Sequence, residues 1–167
     1  MKKIFFLLVF ILNTFICYAK DGGVSFTQSF FKFSPDKPIK ISSEVLIITE
    51  LKRNFYQFDY RKNVTATQDK NKIYSDELIV YYDKNQKKIN KIIIIGNVKI
   101  KGENAICSCD YGKYYPQDKK IYLKGHIKIL QDKNLFNGDE LSIDLIKNIA
   151  TLKGKGKRIN TIFGGGK

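Results

Sequence analysis

"IIIIGNVKIKG", residues 92–102, runs four isoleucines into Gly96 and Asn97 and leaves them in strict alternation, Val98-Lys99-Ile100-Lys101. The alternation puts apolar side chains on one face of a strand and lysines on the other, and the run before it reads as a strand that is apolar on both faces. A glycine inside such a strand marks a bulge or a sharp bend, because it accepts backbone angles and close approaches that other residues resist. The stretch therefore predicts a strand that turns a corner at Gly96-Asn97 and passes from one sheet into a second sheet facing it.

The corner is repeated along the chain. "RKNVTA" at 61–66, "IGNVKI" at 95–100 and "KGHIKI" at 124–129 align with one another, and "QDKNKIYSDEL" at 68–78 matches "QDKNLFNGDEL" at 131–141 in the same register as the outer two. Repetition at this period means one supersecondary unit stacked on the next, each covering its neighbour's exposed face. The unit is β. Ile127-Lys128-Ile129 and Leu141-Ser142-Ile143-Asp144-Leu145 alternate as residues 98–101 do, and Asp-Lys-Asn recurs at 69–71, 83–85 and 132–134, where Asp and Asn bond to local backbone and tolerate left-handed conformations. No 3.6-residue period is found after residue 25, and Pro35, Pro38 and Pro116 fall near expected turns or strand starts. The expectation is an all-β, trough-like structure of imperfect antiparallel β-repeats, apolar inside and lysine-rich outside, with an unpaired edge strand at each end.

Residues ahead of this unit read differently. Met1-Lys2-Lys3, an apolar stretch from Ile4 to Ile16, and Cys17-Tyr18-Ala19 before the first charges at Lys20 and Asp21 have the layout of a secretory signal peptide. The apolar core is shorter than the roughly 20 residues that cross a bilayer, so cleavage after Ala19 is expected rather than a retained anchor. The formal charge of +14 becomes +12 once Lys2 and Lys3 leave with residues 1–19. That charge suits an anionic partner. For an exported chain the anions are phosphorylated lipids and glycans, not nucleic acid, although a plainly solvated lysine surface gives the same composition.

"PIKISSEVL" from Pro38, "GNVKI" from Gly96, "YLKGHIKILQDKNLFNGDELSID" from Tyr122 and "GKGKRINTIF" from Gly154, in this order, resemble the successive signatures of the LptA (OstA-like) family of periplasmic lipopolysaccharide-transport proteins. The resemblance runs from Pro38 to Phe163. It implies a twisted, slightly open β-jelly roll at 38–163, preceded by the signal peptide at 1–19 and an extension or extra strand at 20–37, and followed by a flexible tail at 164–167. It also implies a carrier that is not an enzyme, working in the periplasm on lipopolysaccharide and shielding the lipid A acyl chains in an apolar β-trough. The lining it implies is Ile39, Ile41, Val45, Val98, Ile100, Ile127, Ile129, Leu141 and Ile143; core packing alone would also place these residues inside.

Unblunted β-edges are docking sites for other strands. The N-terminal edge is expected from Ile39 to Ile48, carrying Ile39, Ile41 and Ile47. The C-terminal edge is expected in "RINTIF", carrying Arg158, Ile159, Thr161, Ile162 and Phe163. The family resemblance implies that such edges join head to tail and meet the OstA-like domains of LptC-like and LptD-like partners at the inner and outer membranes. A membrane-anchored, LptC-like assembly component that retains the N-terminal hydrophobic segment is the alternative. The aromatic stretch "VSFTQSFFKFS" at 24–34 departs from the family pattern and reads as an extra strand or a cover for the N-terminal edge.

Sharper chemistry has little support. Cys107 and Cys109 lie two apart on one face of a strand, beside Asp110, without the paired spacing of a zinc site, so no metal and no cofactor are expected. A bridge between them needs a bend, and free buried thiols are the other possibility. His126 stands where the other corners have asparagine and reads as a corner residue. Asp76-Glu77 and Asp139-Glu140 are expected where turns pass into strands; adjacent acids on a strand face opposite ways and make no acid/base pair.

Overall fold

A computed structural model describes residues 37–156 and 158–164. The signal peptide at 1–19, all of the 20–37 extension but Lys37, the aromatic stretch 24–34 and the tail beyond Gly164 lie outside the described residues. The elements are β1 (Lys40–Ser42), β2 (Val45–Leu51), β3 (Phe55–Gln68), β4 (Asn71–Asp83), β5 (Lys88–Lys101), β6 (Ala105–Tyr115), β7 (Lys120–Gln131), β8 (Asn134–Asp144), β9 (Ile149–Lys153) and β10 (Asn160–Ile162), with one 3-10 turn at Lys52–Asn54. They form one antiparallel sheet in the order β1-β3-β4-β5-β6-β7-β8-β10, with β2 also on β3 and β9 also on β8. The sheet does not close, because the strands at its two ends do not pair with each other.

The corners fall where the sequence places them. Lys62-Asn63, Gly96-Asn97 and Gly125-His126 each put two successive residues at positive φ, and at each the ladder slips so that two residues oppose one on the next strand. The opposing residues are Asp76, Asp110 and Asp139. Asp76 and Asp139 therefore sit in mid-strand and not where turns pass into strands, and Asp110 is placed like them; each carboxylate reaches not the bulge it opposes but the segment on its other side. Asn97 Nδ2 donates to Asp76 Oδ2 at 2.8 Å, His126 Nδ1 lies 2.7 Å from Asp110 Oδ2, and Asp139 Oδ2 accepts from the Lys155 amide at 2.9 Å. Asn63 Nδ2 donates to Glu44 in the same manner. A spine of side-chain links thus runs along the fold line.

That line divides the sheet into two leaves. The first holds β2, residues 55–61, 77–83, 88–95, 111–115, 120–124 and 140–144, and β9; the second holds β1, residues 64–68, 71–75, 98–101, 105–109, 127–131 and 134–138, and β10. Inward side chains form rows across the strands. In the first leaf Tyr60, Leu78, Ile94, Gly112, Leu123, Leu141 and Leu152 stand in succession, as do Phe58, Val80, Ile92, Tyr114, Ile121, Ile143 and Ala150. In the second leaf the row is Ile41, Ala66, Ile73, Ile100, Cys107, Ile129 and Phe136. The rows pack into one core, and each fully buried Leu or Ile contributes about 1.5–3 kcal/mol.

The hairpins agree with the repeated Asp-Lys-Asn. Gln68 pairs with Asn71 and Gln131 with Asn134, so Asp69-Lys70 and Asp132-Lys133 are two-residue loops, with both aspartates at positive φ. At the third copy Asp83 Oδ1 accepts from the Asn85 and Gln86 amides at 2.8 and 3.1 Å.

Cys107 and Cys109 are free and buried, facing Ile100 and Ile129 and facing Val98 respectively. Burial pushes both thiols up, Cys109 to about 12. Only the thiolate attacks alkylating agents, so in the folded protein both should resist iodoacetamide at mildly alkaline pH and react in denaturant. Labelling of the folded protein at the rate of a free thiol would contradict this burial.

Candidate functional site

Between the leaves lies an apolar cavity of about 30 Å³, room for roughly one water. The second leaf supplies Ile39, Ile41, Ala66 and Ile73; the first supplies Leu78, Ile92, Ile94, Tyr114, Ile121 and Leu123, with Lys113 as the one charged residue. Gly112 explains the close approach of the first-leaf strands, because a Cβ there would come within 2.7–2.8 Å of Ile94 and Leu123 side-chain atoms. Burial pushes the Tyr114 hydroxyl up from its ordinary value. The lining offers mainly apolar surface.

The wall formed by β1 is the lightest. Three residue pairs with β3 hold it, assisted by Gln68 Nε2 donating to the Lys37 carbonyl at 2.7 Å. Ile39 and Ile41 therefore line the cavity from a short end strand, whereas the lining from the first leaf sits on long, doubly paired strands.

The residues named from sequence distribute unevenly around this cavity. Ile39 and Ile41 line it. Val98, Ile100, Ile127, Ile129, Leu141 and Ile143 are packed in the core beside it, none more than 2% exposed. Val45 lies on β2, 38% exposed and away from the cavity. The first-leaf lining was missed, although Ile92 and Ile94 belong to the isoleucine run that fixed the corner. Period-2 alternation identifies a face but not a gap within that face.

The ends of the sheet differ in detail from the sequence expectation. The strand expected from Ile39 to Ile48 is two strands, because the chain breaks at Ser43-Glu44 to follow the first corner: the Glu44 amide donates to the Lys62 carbonyl at 3.1 Å. β1, with Ile41, ends the second leaf and β2, with Ile47, ends the first. At the other end β10 covers Asn160–Ile162, including Thr161, with Arg158 and Ile159 before it and Phe163 after it. Phe163 meets Phe136 edge to face with centroids 6.1 Å apart. Among the described residues the end strands carry exposed apolar side chains at both ends, Leu46, Ile47 and Ile48 at one and Ile159, Ile162 and Phe163 at the other.

Comparison with known proteins gives a consistent pattern. The model of the family described as LptA/(LptD N-terminal domain) LPS transport protein matches residues 40–149. The crystal structure of LptH, the LptA homologous periplasmic component of the conserved lipopolysaccharide transport device from Pseudomonas aeruginosa, superposes with a TM-score of 0.65 at 17% identity, covering 78% of this chain and 98% of that one. No curated protein sequence matches the chain. At 17% identity the LptH likeness establishes the fold, an open β-jelly roll.

Proposed function

Because this chain belongs to the LptA/LptD N-terminal domain family of LPS transport proteins, we propose that it is a periplasmic carrier that holds the acyl chains of lipopolysaccharide between its two leaves. Sugars and phosphates stay in water, and no bond is made or broken. Burying about ten methylenes is worth about 8 kcal/mol, so a multi-chain lipid does not cross water unaided at a useful rate.

The observation that carries this reading is the continuity of the inward rows. From Tyr60 to Leu152 each strand of the first leaf contributes an apolar position or a glycine, and the row extends onto exposed Leu46 of β2, which is registered against Tyr60. A structure that ended its own core would place polar residues there. A second OstA-like domain docked on this edge, or on β9 and β10 at the far one, would continue the row, so a bridge built head to tail or with LptC-like and LptD-like partners follows from the same feature. The cavity is too small for an acyl chain as it stands. Loading requires the leaves to part, most easily at β1, and residues now in the core, such as Ile100, then become lining.

Photocrosslinking to lipopolysaccharide tests the reading, with probes at Ile41, Ile94 and, on the outer face of the first leaf, Lys91. Crosslinks at both isoleucines and none at Lys91 are expected. A folded protein that crosslinks nowhere, or equally at Lys91, would remove the carrier function.

A further inference from the structure

The two outer faces of the folded sheet differ in charge. On the first leaf acids stand among the basic residues: Arg61 lies 2.6 Å from Asp59, Lys124 lies 3.5 Å from Glu140, and Lys120 is registered opposite Asp144. On the second leaf the outward positions form two rows crossing eight strands, and they contain Lys40, Lys72, Lys99, Lys101 and Lys128 with neither Asp nor Glu among them. Of the three acids at the hairpin tips of this leaf, Asp69 is paired with Lys37 at 2.7 Å and Glu103 with Lys70 at 2.5 Å, and Asp132 stands in the loop next to Lys133.

One of these rows turns apolar halfway along. Ile106 is registered against Leu130, Leu130 against Leu135 and Leu135 against Ile162, so four aliphatic side chains stand side by side on an outer face. Leu130 is 45% and Ile162 61% exposed. Strand spacing of about 4.8 Å makes the stripe roughly 14 Å long. The outward direction keeps these residues from serving the core, and a contiguous apolar stripe on a folded chain marks a contact surface.

We propose that the outer face of the second leaf docks on an anionic phospholipid surface, its lysines on lipid phosphates and the stripe from Ile106 to Ile162 at the boundary of the acyl region. Both halves of the face are needed for this assignment. A soluble polyanion would use the lysines and leave the stripe in water, and an apolar protein partner would cover the stripe against a field of unneutralised lysines. A bilayer with anionic headgroups satisfies both, since peripheral binding combines charge attraction with shallow apolar insertion. The face lies outside the trough, so the docking is independent of cargo in the interior.

Sedimentation with phosphatidylethanolamine/phosphatidylglycerol vesicles, against phosphatidylcholine vesicles, tests the proposal without any lipopolysaccharide present, so its failure leaves the carrier reading untouched. Binding to the anionic vesicles that weakens with salt is expected. The pair Lys99→Gln with Lys128→Gln should weaken it about thirtyfold, while Lys91→Gln with Lys120→Gln, which removes the same charge from the first leaf, should leave it within about threefold. The chain has no tryptophan, so Leu130→Trp gives a single reporter whose emission should shift to the blue on binding. Absence of binding, equal losses in the two double variants, or an unshifted emission in the bound state would overturn the proposal. Lipid-free self-association abolished by Leu130→Ser would also overturn it and assign the face to a second copy.

Discussion

Gly96→Ala should lower the unfolding free energy by about 3 kcal/mol, and Gly156→Ala by about 1. Both glycines are left-handed, with φ of +75° and +72°, so the backbone strain of adding a Cβ is common to the two. The surroundings differ. A Cβ at Gly96 would overlap the Asp76 carboxylate, whereas nothing lies within 4 Å of one at Gly156. Asp76 cannot swing away freely, because its Oδ2 accepts from Asn97 Nδ2 at 2.8 Å. Alanine at Gly96 must therefore break that bond or open the bulge, and the excess of about 2 kcal/mol over Gly156→Ala measures the corner itself. Gly125→Ala should repeat the larger cost, since its Cβ would meet Asp110, the partner of His126. Urea midpoints read at constant m-value supply the comparison. Equal losses at Gly96 and Gly156 would mean that the Asp76 link to the corner contributes nothing.

The same corners explain what the sequence made legible. A left-handed pair in mid-strand restricts the residues there to glycine, asparagine and a few others, so "GN", "GH" and "KN" could be aligned and the fold line drawn through them. The Asp-Lys-Asn turns carry their reason in their own residues: Asp83 bonds to the backbone beside it, and Asp69 and Asp132 take the left-handed conformation that aspartate tolerates. What stayed hidden depends on the neighbouring strand. Asp76 and Asp139 look like strand-start acids until the bulges they face are in view. The split of the first strand at Ser43-Glu44 follows from the corner in β3, not from anything in "KISSEVLII". Gly112 has no side chain for alternation to place, yet it decides how closely Ile94 and Leu123 approach beside the cavity. Alternation therefore separates the two faces of a strand, misplaces Val45 across the break at Ser43-Glu44, and does not divide an inward face into filled and unfilled parts.

Leu123→Ala and Ile129→Ala should each destabilise the protein by about 3 kcal/mol, a fall of roughly 10 °C in Tm for a domain of this size, yet only the first should be repaired by a saturated fatty acid. Both side chains are essentially inaccessible, 1% and 0% exposed, and the truncation removes the same number of carbons. Leu123 borders the cavity between the leaves and Ile129 does not. Truncating Leu123 enlarges an existing apolar space of about 30 Å³ that is bounded on its lighter side by Ile39 and Ile41. Truncating Ile129 leaves a separate void among well-paired strands of the second leaf. An apolar void stays dry and gains by taking up an apolar ligand that can reach it. A fatty acid at about a hundred times its dissociation constant returns about 2.7 kcal/mol, which would restore most of the Tm lost by Leu123→Ala and little of that lost by Ile129→Ala. Equal rescue of the two variants would show that acyl chains enter wherever space is made, and rescue of neither would show that β1 does not admit them. Selective rescue would identify the space beside Leu123 as the place where the leaves begin to part.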